Sequence, residues 1–190
     1  MLEIGCGTGH FTRWLAARGC AAIGLDRSPA MLREARTLVG GTPLVLADAQ
    51  RLPLRDGAVD VSALVTTLEF LERPERALKE SVRVSKRGLV LVVLNRWSLG
   101  AFSRRWGPKS RGPLLACARD LSHSRLRDAL ERAAGERLLG MRQRSTLLPR
   151  PLDRILVPLP FGDVLGVAVE LRERSEQGRG RLEALLEDVS

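Results

Sequence analysis

Five short apolar runs limit what this chain can fold into: Met1–Ile4, Ala21–Leu25, Leu44–Ala47, Val59–Val65 and Leu89–Leu94. They lack the strict apolar/polar alternation of a strand with one wet face. Runs of this kind belong to strands buried on both faces. The segments between several of them carry helical spacing instead. Thr8 or Gly9 opens a helix with Phe11, Trp14, Leu15 and Ala17 on its inner face, and Gly19 stops it. Ser28-Pro29 supplies an N-cap and a proline at the first helical position. Leu32, Ala35 and Leu38–Val39 face inward there, until Gly40-Gly41. Pro74 starts a third helix with Ala77, Leu78 and Val82 inside. Strands alternating with helices predict an α/β three-layer sandwich around a mostly parallel sheet.

The second half is less regular. Residues 95–121 contain Pro108 and Pro113 and predict an irregular segment. Ser122 or Ser124 caps a helix to about Ala134, with Leu126, Leu130 and Ala133 inside. Leu138–Met141 predicts a sixth strand, the proline-rich stretch 149–160 a loop, and Asp163–Leu171 a seventh strand, antiparallel at the edge. The expected organisation is one domain over 1–171 and a charged tail over 172–190, frayed or forming a short surface helix. A chain of 190 residues, 44% apolar, is long enough to bury a core. No apolar run reaches the ~18 residues that span a bilayer, and no basic-then-apolar leader opens the chain. The expected location is cytoplasmic. Cys6, Cys20 and Cys117 show no CxxC or Cys/His spacing, which speaks against a disulfide framework and against a metal site.

The net charge of +9 is concentrated. Residues 96–154 hold 14 basic and 5 acidic side chains, almost all of the bases Arg. Such a segment is either a solvated surface or a contact for an anionic partner such as nucleic acid or lipid headgroups.

The chemistry points to three successive strand ends. Met1-Leu-Glu-Ile-Gly-Cys-Gly-Thr-Gly9 is a strand feeding a turn with glycine at every second position. Glycine serves there because the turn needs positive φ and backbone must approach a ligand closely. Asp26 ends the second strand, where a carboxylate can accept both hydroxyls of a ribose. Asp48 ends the third, where it can accept from an exocyclic amine such as that of adenine. Ligands of open parallel sheets sit at these carboxyl ends, so the set describes an adenosine-bearing cofactor. The spacing is GxGxG, with Glu3 ahead of it and His10 where a dinucleotide fingerprint would place its last glycine.

This spacing resembles motif I, (D/E)xGxGxG, of the class I S-adenosylmethionine-dependent methyltransferases. Leu46-Ala-Asp-Ala49 looks like that family's adenine motif. Leu52-Pro-Leu-Arg-Asp-Gly-Ala-Val-Asp60-Val looks like the loop and fourth strand of its small-molecule, type 11 branch. Val84-Ser-Lys-Arg-Gly88-Leu-Val-Leu looks like the run into strand five. Leu68-Glu69-Phe70-Leu71 stands where that branch usually has Leu-Glu-His-Val, so Phe70 removes whatever the histidine does. The lone glycine of Lys86-Arg87-Gly88, in place of Pro-Gly-Gly, implies a local loop change. The resemblance covers about residues 1–95 and implies a Rossmann-like, seven-stranded sheet in the order 3-2-1-4-5-7-6. It implies S-adenosyl-L-methionine as cofactor and a small-molecule or lipid-like methyl acceptor.

Residue by residue, the resemblance implies that Gly5, Cys6, Gly7 and Gly9 pass under the methionine part of the cofactor. Cys6 serves mainly as a small residue in the turn. Glu3 shapes that turn, Asp26 holds the ribose, and Arg27 lies over the adenine edge. Asp48 and the Ala49 amide read the adenine, and Thr66 lies beside the methionine amino group. No catalytic acid or base is assigned. Trp97 and Trp106, with Asn95 and Arg96, either line an acceptor pocket or cover the core; His10 and His123 are expected at the surface. Family members carry a helix before strand one, so a start at Met1 implies a truncated chain or an open site. The competing readings are an RNA methyltransferase using the Arg-rich 96–154 segment, a non-catalytic binding module, and a nicotinamide-dependent oxidoreductase.

Overall fold

In a computed structural model, the description covers residues 1–94, 123–146, 156–157 and 164–173. The elements in chain order are β1 (Leu2–Ile4), α1 (His10–Ala16), β2 (Ile23–Asp26), α2 (Pro29–Val39), β3 (Leu44–Leu46) and β4 (Val59–Val65). A short 3-10 turn (Leu68–Phe70) leads to α3 (Pro74–Val84) and β5 (Ser85–Leu94). Then follow α4 (His123–Ala134), a second 3-10 turn (Gly135–Arg137), β6 (Leu138–Thr146), β7 (Leu156–Val157) and β8 (Val164–Leu171).

The sheet runs β3-β2-β1-β4-β5-β8-β6-β7. The first five strands are parallel, with Leu2 opposite Ile23 and Ser62, and Ser62 opposite Leu89. The expected order 3-2-1-4-5-7-6 holds, with β8 as its seventh strand. β8 is antiparallel as expected but not at the edge; it is inserted between β5 and β6 and pairs along both. β6 runs on to Thr146, and the two-residue β7 pairs with its far end. The stretch 149–160, expected as loop, thus contributes an eighth strand at Leu156–Val157.

Chain order gives the layers. The β1-to-β2 connection moves along the sheet in one direction and the β4-to-β5 connection in the other. Right-handed crossovers therefore put α1 and α3 on opposite faces. α1 packs on α2, and α3 packs on α4. The core under α3 and α4 joins Leu78, Val82, Leu126 and Leu130 to Leu64, Leu89 and Leu91 of the sheet. β1 and β4 flank the point where strand order reverses, and there the carboxyl ends open a crevice.

Two elements depart from their sequence pattern. The inner face of α1 consists of Thr12 and Leu15. Trp14 and Ala17 are exposed and Phe11 is half-buried. Trp14 stacks on Phe11 with ring centroids 5.2 Å apart, and the Arg18 guanidinium lies 3.7 Å from the Trp14 ring centre. This covers apolar ring surface outside the core. In α4 the inner face is Leu126, Leu130 and Ala134, with Ala133 partly buried. Residues 95–121, with Asn95, Arg96, Trp97 and Trp106, and the tail beyond 173 lie outside the described residues, as does most of the Arg-rich segment.

Candidate functional site at the carboxyl ends of β1, β2 and β4

The loop after β1 is the floor of the crevice. Gly5, Gly7 and Gly9 adopt φ of 75°, 53° and 81°, a region that L side chains enter only with strain. Their surroundings differ. A Cβ on Gly5 would lie 2.4 Å from Cγ2 of Thr67, and one on Gly9 would lie 2.6 Å from Cγ1 of Val39. A Cβ on Gly7 would meet nothing within 4 Å. Two of the glycines are thus required by packing, while Gly7 faces open space. The Gly5 and Cys6 amides both donate to the Leu25 carbonyl, at 2.7 and 2.9 Å, tying the loop to the end of β2.

Asp26 closes the second side. Its Oδ2 accepts the Gly7 N–H at 2.8 Å, and its Oδ1 accepts the Ser28 N–H at 2.8 Å. Two predicted site residues from different strand ends are thereby held together. A carboxylate has about four acceptor sites, so each oxygen keeps capacity for a further hydroxyl donor. Arg27 is exposed beside it.

Glu3 is buried beneath the loop at 3% exposure, and its Oε2 accepts the Thr12 hydroxyl. Burial pushes its carboxyl up to about 7, against the opposing pull of the Thr12 hydrogen bonds. The Glu3–Thr12 bond ties α1 to β1 beneath the loop. Cys6 is buried, and its thiol is pushed up to about 12 by burial and the nearby Glu3 and Asp26 carboxylates. A thiol so placed keeps its proton at neutral pH.

The third side is looser. β3 ends at Leu46, so Asp48 lies in the loop beyond it and not on the strand end. Asp48 is exposed, and its Oδ1 accepts the Gln50 amide at 2.9 Å. Ala49 is buried next to it. Thr66, just past β4, is the one non-glycine residue at positive φ among those described, at 47°. Its N–H donates to the Val92 carbonyl at 2.7 Å. His10 begins α1 and is exposed. Among the described residues no group of His, Cys, Asp and Glu is arranged to hold a metal ion.

Sequence reasoning passed over two residues here. The Thr67 hydroxyl lies 3.1 Å from the carbonyl oxygens of both Ile4 and Val65, joining β1 to β4 behind Gly5. Nothing local in the sequence marks it. Glu69 is 1% exposed, and its Oε1 accepts the Leu94 N–H at 2.6 Å. Its signal was an acid inside the otherwise apolar run Leu68-Glu69-Phe70-Leu71.

The glycine loop, open at Gly7, and the Asp26 carboxylate thus leave space and spare acceptor capacity on one side of the crevice. The family model described as a methyltransferase domain matches residues 2–93. The chain is 33% identical over 108 residues to the malonyl-acyl-carrier-protein O-methyltransferase of Pectobacterium atrosepticum. That match covers 56% of this chain and 43% of the relative. It is 37% identical over 95 residues to the ubiquinone/menaquinone biosynthesis C-methyltransferase UbiE of Acidiphilium cryptum, covering 46% and 38% of the two chains. Among solved structures, the chain resembles an S-adenosylmethionine-dependent methyltransferase of Thermotoga maritima described as a possible histamine N-methyltransferase. The TM-score is 0.73 at 28% identity, over 89% of this chain and 80% of that one. The aligned segment spans less than half the length of the two curated relatives. S-Adenosylmethionine is the cofactor of this class, and the open Gly7 position and the spare acceptor capacity of Asp26 fit it.

Proposed function

We propose that the chain binds S-adenosylmethionine in the crevice between β1 and β4 and catalyses methyl transfer to a small-molecule or lipid-like acceptor. The single observation that carries this is the Gly7–Asp26 pair. A glycine with open space on its Cβ side donates its N–H to a strand-end carboxylate at 2.8 Å, at the switch point of a sheet whose first half matches the methyltransferase model. In this reading Asp26 accepts the ribose hydroxyls, and its bonds to Gly7 and Ser28 fix its direction beforehand. Gly5, Cys6, Gly7 and Gly9 line the methionine part, with Glu3 holding the loop from beneath. Arg27, Asp48 and Ala49 surround the adenine, and Thr66 takes the amino-group side. The cofactor, when bound, supplies a methyl group on a good leaving group, so the protein contributes chiefly alignment and proximity.

The curated relatives named above support an acceptor that is a small metabolite or a carrier-borne acyl group. This chain is proposed to act on that class in the cytoplasm, as a domain spanning 1–171. No helix among the described residues is long and apolar enough to cross a membrane.

Calorimetry with S-adenosylmethionine, S-adenosylhomocysteine and NAD tests the reading. The first two should bind and NAD should not. Asp26→Ala should weaken S-adenosylhomocysteine binding by about 1–3 kcal/mol, the scale of hydrogen bonds lost to a charged group. Wild-type affinity in that variant removes the ribose assignment, and binding of NAD alone removes the methyltransferase reading. No binding of any of the three leaves a non-catalytic module.

A further inference from the structure

The turn after β4 carries a buried carboxyl that the cofactor reading does not use. Glu69 Oε1 accepts the Leu94 N–H at the end of β5, 2.6 Å away. Its Oε2 is buried with no hydrogen-bonding partner among the described residues. Burial raises this carboxyl above the ordinary carboxylate range, while the Leu94 N–H opposes the rise. A buried oxygen without a partner is costly and uncommon in folded chains. A tie made only for stability has no use for it, and departures of this kind concentrate where geometry serves function.

The neighbours of Glu69 show what geometry is served. Thr66, three residues earlier, is held at φ 47° with its N–H on the Val92 carbonyl of β5. Thr67 reaches the Ile4 carbonyl of β1, and its methyl group fills the space beside Gly5. The carboxyl ends of β1, β4 and β5 are therefore joined through residues 66–69. At one end of this clasp is the glycine loop; at the other is the Glu69–Leu94 bond.

We infer that Glu69 is a positioning residue for the cofactor site: by holding the Leu94 amide of β5, it fixes the turn whose Thr66 and Thr67 set the backbone around Gly5. The inference rests on the proposed methyltransferase function. Glu69 acts through Thr66 and Thr67, so the bond to Leu94 is what matters, and a neutral side chain of the same shape should preserve it.

The test is S-adenosylhomocysteine affinity by calorimetry for the wild-type chain, Glu69→Ala and Glu69→Gln, each checked by thermal denaturation. Glu69→Ala should bind about tenfold more weakly, the equivalent of one lost hydrogen bond's worth of alignment. Glu69→Gln keeps an acceptor for the Leu94 N–H and should remain within about threefold of wild type. Wild-type affinity in Glu69→Ala overturns the inference, as does Glu69→Gln binding as weakly as Glu69→Ala. Should Glu69→Ala not fold, amide exchange on the wild-type chain decides. S-Adenosylhomocysteine should slow exchange at Thr66 and Leu94 by about tenfold, and unchanged rates there refute the coupling. A wild-type chain that does not bind S-adenosylhomocysteine at all removes the methyltransferase reading itself, and this inference with it.

Discussion

The three loop glycines share a sequence pattern and a φ sign, yet they answer to different constraints. Gly7→Ala meets no neighbour within 4 Å and carries only backbone strain, so it should cost about 1–2 kcal/mol of stability. Its added methyl group faces the proposed cofactor, so its loss of S-adenosylhomocysteine affinity should exceed its loss of stability. Gly9→Ala carries the same strain plus a 2.6 Å contact with Val39, and should be the less stable of the two in urea titrations. Glu3 sets a pH dependence. Its carboxyl is raised from 4.5 to about 7 in the fold, so the folded chain holds the proton more tightly than the unfolded one. Stability from this group is full below about pH 4.5 and is lost as pH rises to about 7, by about 3 kcal/mol in all. Glu69 adds a slope of the same sign. Unfolding curves at pH 5 and pH 8 should show the decline in the wild-type chain and a shallower one in Glu3→Gln; equal slopes would show that Glu3 is not the source. At this scale the GxGxG spacing and Asp26 were legible, because a strand, its turn and its last residue are neighbours in sequence. Thr67 was not, because its function is to fill the space beside a residue 62 positions away.

At the scale of elements, the parallel strands and helices follow the apolar runs closely, and the exceptions have local causes. α1 turns Trp14 outward, where half-buried Phe11 stacks on its ring and the Arg18 guanidinium covers it. β5 begins at Ser85, four residues before its apolar run, because buried hydroxyls extend it: Ser85 donates to Ser62 Oγ at 2.8 Å. The second 3-10 turn carries a buried cation that the pattern did not announce. Arg137 is 7% exposed and donates to the Val82, Ser85, Lys86 and Arg172 carbonyls at 2.7 to 3.2 Å. One guanidinium thus joins the ends of α3 and β8 to the start of β5. Arg137→Met should destabilise the fold by about 3 kcal/mol, read from urea midpoints, because several buried carbonyls lose their donor together. Arg137→Lys should recover little of this, since an ammonium lacks the planar fork that reaches all of them. Full recovery with lysine would assign the effect to charge alone.

Across the whole molecule, the arrangement turns on β8. Placed between β5 and β6, it converts a parallel sheet into a mixed one and carries the core beyond β5. Gly88 is where this placement is felt most closely: a Cβ there would lie 2.3 Å from the Val169 carbonyl oxygen. Gly88 lies within β5 and not in an altered loop, and it admits the backbone of β8. Gly88→Ala should therefore cost about 2 kcal/mol, while Gly140→Ala, with nothing within 4 Å, should be neutral or slightly stabilising. Equal stabilities of the two variants would argue against the close approach. What the sequence determined by itself was local: five strands, the helices between several of them, a glycine turn and an acid at the end of the next strand; the expected burial on both faces fails at the edge strand β3, where Leu46 is 58% exposed. Periodicity and turn chemistry act over a few residues, and those features need no more than that. The tertiary structure alone decided which strand enters between β5 and β6, which side chain fills the space beside Gly5, and which amide receives the Glu69 carboxyl. Those choices depend on atoms brought together from distant parts of the chain, where only mutual packing and hydrogen bonding select the partner.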